Sequence, residues 1–375
     1  MSNITYTIRN KCCFCEKDVF EVLLQDDHTI PISYTMIDNP SNDYVTIPFN
    51  IIKCLNCKTY QTKYLGNLNL VYGRHVNPIG NIHQKMKEEY CNFICYNKNI
   101  TGFIEIGAGN GDLSDKILNI NKLPYYIIDP FYCGNTTNRI IISDFIENST
   151  NLSNFSANTI ITSHVFEHLY NPVEFIKIAI YNNIKYIYIC IPDFENSIKN
   201  ESFCNTLNIE HTFYIENKFL EDIFKQYGYT CNKSYEFLNH SIMFEFEYNG
   251  NPILLNPINH TSEKEIPVYI TTLINRTLNI NKIIDDHYGE YKIYLWPSSA
   301  HSLYLCYYGL NYSKIDYLLD NSFDKINKYF YGYNIKCIAM KDIIDTTDKS
   351  LLILHGGCFN KEIKITNPNI KVISF

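Results

Sequence analysis

The chain has 375 residues, 46% of them hydrophobic, and a formal net charge of -7. That length asks for two or three domains, and an acidic balance without any basic run excludes nonspecific nucleic-acid binding, which needs a basic footprint. No segment reads as a signal peptide or membrane span, so a cytoplasmic protein is expected, its 14 cysteines reduced or metal-bound rather than paired as disulfides.

In chain order, two C-x2-C pairs come first: Cys12-Cys13-Phe14-Cys15 and Cys54-Leu55-Asn56-Cys57. Each spacing lets one tight turn present two thiolates, and the two turns together complete a tetrahedral site for a structural Zn2+ with no open position. Cys13 could stand in for Cys12 with a slight shift. Residues 1–78 are therefore predicted to form a zinc-binding domain, with a core too small to stand without the metal.

Next, Phe103-Ile104 runs into Glu105-Ile106-Gly107-Ala108-Gly109-Asn110-Gly111, followed by a helical stretch from Asp112 to Asn119. Glycines after a strand allow a sharp turn and close approach of a ligand to the main chain. The third glycine of the dinucleotide fingerprint would fall on Asp112, so that pattern fails. A second apolar run, Tyr125–Ile128, ends in Asp129-Pro130. A carboxylate there can accept both hydroxyls of a ribose. Further runs end in Ser143-Asp144-Phe145, in Ser163-His164-Val165-Phe166-Glu167-His168 and in Pro192-Asp193, with helical patterns such as Pro172–Tyr181 between. Strands alternating with helices predict a parallel sheet that binds ligands at the carboxyl ends of its strands. Tyr229–Phe237 and Ser241–Tyr248 alternate as an antiparallel closing pair, which sets the second unit at 79–250. Residues 249–267 read as a linker. Thr271–Asn281 suggests a helix. Strands at Lys292–Trp296, Lys314–Leu319, Ile335–Ile338, Leu351–Leu354 and Ile370–Ser374 then predict a second Rossmann-like unit over 268–375, with substrate held between the two α/β units.

The stretch E-x-G-x-G-x-G resembles motif I of the class I S-adenosylmethionine (SAM)-dependent methyltransferases, and 164–168 resembles their H-V-x-E-H signature. The resemblance implies a Rossmann-like core that binds SAM through Glu105, Gly107, Ala108, Gly109 and Gly111. It places Asp129 and Pro130 at the ribose, Asp144 and Phe145 at the adenine, and His164 beside the methionine end. A narrower resemblance is to the three-domain nucleotide-sugar C-methyltransferases. Thr46–Phe49 through Cys54–Gln61, Asn205–Tyr214, Ile315–Gly332 and Leu351–Ile363 are similar to that family's segments, in order. It implies His211 as the base, Glu210 as its orienting carboxylate, Tyr214 and Tyr72 as further polar contacts, and a nucleotide-linked deoxysugar as the small-molecule substrate of a monomer or dimer. Two departures stand out: Asn208 where the family has Tyr, and Leu295–His301 where it has a glycine-rich loop with a lysine. The residues themselves leave open that Glu210-His211 merely starts a helix running to Tyr227, and His75 and His83 read as ordinary. Other readings are an O- or N-methyltransferase on another small acceptor and a zinc-stapled scaffold without catalysis.

Overall fold

The computed structural model describes residues 5–24, 28–73, 80–148, 151–199, 207–253 and 266–375. His75, Asn205, Thr206, the junction at 78–79 and linker residues 254–265 lie outside the described residues.

The chain builds the α/β architecture expected of it. A seven-stranded sheet contains β1 (Phe103–Ile106), β2 (Tyr125–Ile128), β3 (Ile140–Ile142), β4 (Thr159–Ser163), β5 (Tyr186–Pro192), β6 (Tyr229–Phe237) and β7 (Ser241–Tyr248). Its order is β3-β2-β1-β4-β5-β7-β6; β1 to β5 are parallel, while β7 runs antiparallel to both β5 and β6. Isoleucine-rich β1, β2 and β5 are buried along their whole length, as strands covered on both faces must be. The strand order reverses between β1 and β4, which opens a crevice at their carboxyl ends. Both the glycine turn after β1 and the 164–168 segment after β4 emerge there.

The third unit repeats the scheme. Strands β8 (Lys292–Trp296), β9 (Tyr317–Leu319), β10 (Cys337–Ile338), β11 (Ser350–Leu354) and β12 (Ile370–Ser374) form an all-parallel sheet in the order β10-β9-β8-β11-β12. Its switch point lies between β8 and β11, just past Trp296. The helix before it spans Ile266–His287, longer than the 271–281 expected. No helix among the described residues is long and apolar enough to cross a membrane.

The N-terminal segment joins the two units. An antiparallel sheet contains Phe20–Leu24, Ile51–Cys54 and Tyr60–Thr62, and its fourth strand, Phe213–Tyr214, comes from the second unit. Ile30, Phe49 and Tyr60 share one buried cluster with Leu273 and Tyr304 of the third unit. Cys12 and Phe14 share another with Phe213 and Phe219 of the second, where the Phe14 ring meets both edge-on at 4.9 and 5.2 Å. Its buried side chains thus fill space that neither α/β unit covers alone.

Candidate cofactor and acceptor site

The glycine turn is held open by its backbone. Gly107, Gly109 and Gly111 have φ of 66°, 58° and 80°, a region that side chains disfavour. A Cβ on Gly107 would also lie 2.6 Å from Val165 Cγ2, so the turn packs directly on the segment after β4. Asp129 braces the turn from the end of β2: Oδ2 accepts from the Gly109 N–H and Oδ1 from the Phe131 N–H, both at 2.7 Å. Glu105 is buried at the foot of the turn and accepts from the Tyr125 hydroxyl at 2.7 Å. Burial pushes its carboxyl up to about 7. Asp144 accepts from the Phe145 N–H at 2.8 Å, and the Phe145 ring meets Phe131 edge-on at 6.2 Å, forming an apolar wall. Phe131 was not singled out in the sequence; its place two residues past Asp129 was the available signal.

One cavity of about 840 Å³ collects these groups, large enough for a cofactor and a second molecule. Every non-cysteine residue that the sequence nominated lines it, except Gly111 and Tyr214. Gly111 is the left-handed cap of the following helix. Tyr214 is buried, with its ring facing Phe194.

Beside the glycine turn lies a cluster of imidazoles and carboxylates. Residues Phe166–His168 form a single helical turn after β4. The 208–214 segment is stitched to it, because Thr212 N–H donates to Glu167 O at 2.9 Å and Thr212 O accepts from Thr62 N–H at 3.0 Å. This double pairing makes 213–214 a strand, and the helix begins only at Asn217, so Glu210-His211 does not open a helix to Tyr227. Glu167 Oε1 lies 3.4 Å from His164 Nδ1, 3.7 Å from His168 Nε2 and 3.8 Å from His211 Nε2. Neither Glu167 oxygen has a hydrogen-bond partner among the described residues. Burial raises this carboxyl to about 7, with His211 acting against the shift. His168 Nδ1 meets the Tyr72 hydroxyl at 2.6 Å, and Glu210 Oε2 accepts from the Tyr34 hydroxyl at 3.4 Å and lies 3.9 Å from His168 Nδ1. The carboxylate facing His211 Nε2 is thus Glu167, a residue the sequence reading left without a role.

A second group of histidines closes the cavity toward the third unit. His164 Nε2 and His240 Nδ1 share the Ser241 hydroxyl at 3.0 and 2.5 Å. His83 meets His240 edge-on at 5.2 Å and stacks on Phe359 at 5.3 Å. His301 faces the same Phe359 at 6.3 Å. Burial lowers His164 to about 4, His240 and His301 to about 3, and His83 well below the usual range, so all four are neutral near pH 7. His83 read as ordinary because its neighbours come from distant parts of the chain. The divergent 295–301 segment also reaches the cavity, through Trp296, Ser299 and His301, and Lys325 stands nearby, bonded to Asp320 Oδ2 at 2.8 Å and Ser298 O at 2.7 Å.

Away from this cavity, Cys12, Cys15, Cys54 and Cys57 converge. Their sulfurs approach to 3.5 Å in the pairs Cys12–Cys57 and Cys15–Cys54. Gln61 Nε2 donates to Cys12 Sγ at 3.0 Å, while its Oε1 accepts from the Cys13 N–H at 3.1 Å. Cys13 stands outside the cluster, pushed up to about 12 by burial. Four thiolates at these spacings could hold a tetrahedral cation, and Cys12 is the member that belongs to the set.

No known family profile matches this chain, and no curated protein does. Among solved structures it is similar to the magnesium protoporphyrin IX methyltransferase ChlM of Synechocystis PCC 6803, at 11% identity over 47% of this chain and 90% of that one, with a TM-score of 0.35. It is similar to the N-methyltransferase NodS of Bradyrhizobium japonicum WM9, at 12% identity over 46% and 97%, TM-score 0.34. A third is a SAM-dependent methyltransferase from Clostridium acetobutylicum ATCC 824, at 10% identity over 44% and 92%, TM-score 0.34. Scores at that level carry no statement about chemistry, which has to come from the side chains themselves.

Proposed function

We propose that this protein is a SAM-dependent methyltransferase acting on a small molecule, with a nucleotide-linked deoxysugar as its acceptor and a structural Zn2+ on Cys12, Cys15, Cys54 and Cys57. One observation carries the reading: a single cavity is lined both by the glycine turn with Asp129 and by His168, Glu210 and His211, with Glu167 next to the two histidines. SAM, when bound, supplies a methyl group on a sulfonium, ready for direct displacement. Gly107 and Gly109 would let the cofactor approach the main chain, Asp129 would hold its ribose, and the Phe131–Phe145 wall with Asp144 would border its adenine. The imidazole–carboxylate cluster has to align the acceptor and receive its proton as the new bond forms. Tyr72 holds His168 in place for that task.

The departure at 295–301 favours a second reading. The segment lines the cavity without the glycines and lysine of the resembling family, which supports a different small acceptor methylated on oxygen or nitrogen.

The test is calorimetric titration of zinc-replete protein with S-adenosylhomocysteine, repeated with dTDP-, UDP- and GDP-linked sugars. Micromolar binding strengthened by one sugar nucleotide supports the first reading. Cofactor binding without a sugar response supports the second. Absence of cofactor binding removes both and leaves a scaffold.

A further inference from the structure

We infer that Glu167, His168 and His211 bind a divalent transition-metal ion at the acceptor end of the cavity, separate from the four-cysteine cluster. Three features carry the inference. The ligand atoms of these residues lie within 4.8 Å of one another. Glu167 is 5% exposed, and neither of its oxygens has a hydrogen bond among the described residues. Leaving a buried carboxylate in that state is costly, and a cation between it and the two imidazoles removes the cost.

The spacing suits such an ion. A tetrahedral pair of bonds about 2.1 Å long separates its ligand atoms by roughly 3.4 Å. Glu167 Oε1 stands 3.7 and 3.8 Å from the two Nε2 atoms, a few tenths of an ångström of relaxation away. Those gaps are too long for direct hydrogen bonds.

The outer contacts are also those of a metal site. A ligating imidazole usually gives its other N–H to a fixed oxygen, which sets its tautomer. With Nε2 of His168 on the ion, Nδ1 carries the hydrogen and donates it to the Tyr72 oxygen 2.6 Å away. The Thr212 pairing to Glu167 O and Thr62 holds His211 and Glu167 in register.

Two imidazoles and one carboxylate suit zinc, cobalt or iron(II) better than magnesium or calcium. Three protein ligands leave open positions, and His168 and His211 line the cavity, so those positions face the space for the acceptor. An acceptor hydroxyl placed there would lose its proton more readily. Only this catalytic consequence rests on the methyl-transfer reading; binding of the ion does not.

The test uses the full chain, dialysed against Zn2+ and freed of excess, with zinc counted per chain. Co2+ is then titrated into zinc-depleted protein. Cobalt on the thiolates shows sulfur-to-metal charge-transfer bands, whereas cobalt on nitrogen and oxygen shows weak visible bands alone. Two zinc ions per chain are expected in the wild type. Glu167→Gln and His211→Ala should retain only one, with the thiolate-cobalt bands unchanged. Tyr72→Phe, which removes only the outer hydrogen bond to His168 and leaves the three ligands in place, should weaken the second ion about 10- to 100-fold. A single zinc per chain in the wild type overturns the inference, as does a second ion kept by both ligand variants. S-adenosylhomocysteine binding is measured on the same samples. Cofactor binding without a second ion sinks the metal site and spares the methyltransferase; a second ion without cofactor binding does the reverse.

Discussion

The contact between the glycine turn and the segment after β4 can be tested through Gly107 and Val165. Gly107→Ala places a methyl group 2.6 Å from Val165 Cγ2, where carbon atoms normally sit about 3.5–4.0 Å apart. The backbone at φ of 66° adds about 1 kcal/mol of left-handed strain for an alanine. Overpacking of this kind costs about 1–3 kcal/mol, so a total loss of about 2–4 kcal/mol is expected. The two parts are separable, because the clash is with a side chain and the strain is not. Val165→Ala in the same chain should return the overlap, about 1–3 kcal/mol, and leave the strain in place. Urea unfolding of wild type, both single variants and the double variant gives the coupling energy directly. S-adenosylhomocysteine titration of the four proteins shows whether the cofactor senses the same contact. Additive single and double variants would refute direct packing of the turn on Val165, and with it the geometry proposed for the cofactor cleft.

The other predictions follow from the same site. Glu105 is held at about 7 by burial, above its ordinary 4.5, so its contribution to stability is full below about 4.5 and is lost as pH rises through 7. Glu105→Gln should flatten stability between pH 5 and 8 by about 3 kcal/mol, and an unchanged pH slope in chemical denaturation would exclude the assignment. His211→Ala should keep S-adenosylhomocysteine affinity within a few-fold and lower turnover by about 10²–10⁴; equal loss of both would remove His211 from the chemistry. Cys54→Ser should cost stability and also turnover, because the cluster anchors the sheet into which Phe213–Tyr214 inserts, next to His211. Full turnover in a zinc-free, folded Cys54→Ser protein would break that link.

Much of this architecture was legible because its signals are local. Apolar runs that end in glycine or an acid, helices between them and an alternating pair at 229–248 mark a parallel sheet closed by an antiparallel pair, and the strands of the third unit fell within a few residues of their expected places. The C-x2-C pairs carry their own geometry, since two thiols three positions apart share one turn. Between Cys12 and Cys13 the sulfur positions decide: Cys12 Sγ lies 3.5 Å from Cys57 Sγ within the four-cysteine cluster, and Cys13 stands outside it.

What only the tertiary structure decided is which side chains share a space. Glu167 sat inside a recognised motif without a task until the fold set it against His211, and His83 had no local pattern until His240 and Phe359 closed around it. Tyr214, chosen for its place near Glu210-His211, turned into the core because 213–214 became a strand. The N-terminal segment read as a small domain by itself, yet its apolar residues pack into clusters shared with both α/β units. The physical reason is the same in each case. Turns, strand periodicity and chelating pairs are set by neighbours along the chain, whereas a cavity is made by residues that meet only after separate sheets have packed, and no spacing in the sequence encodes that meeting.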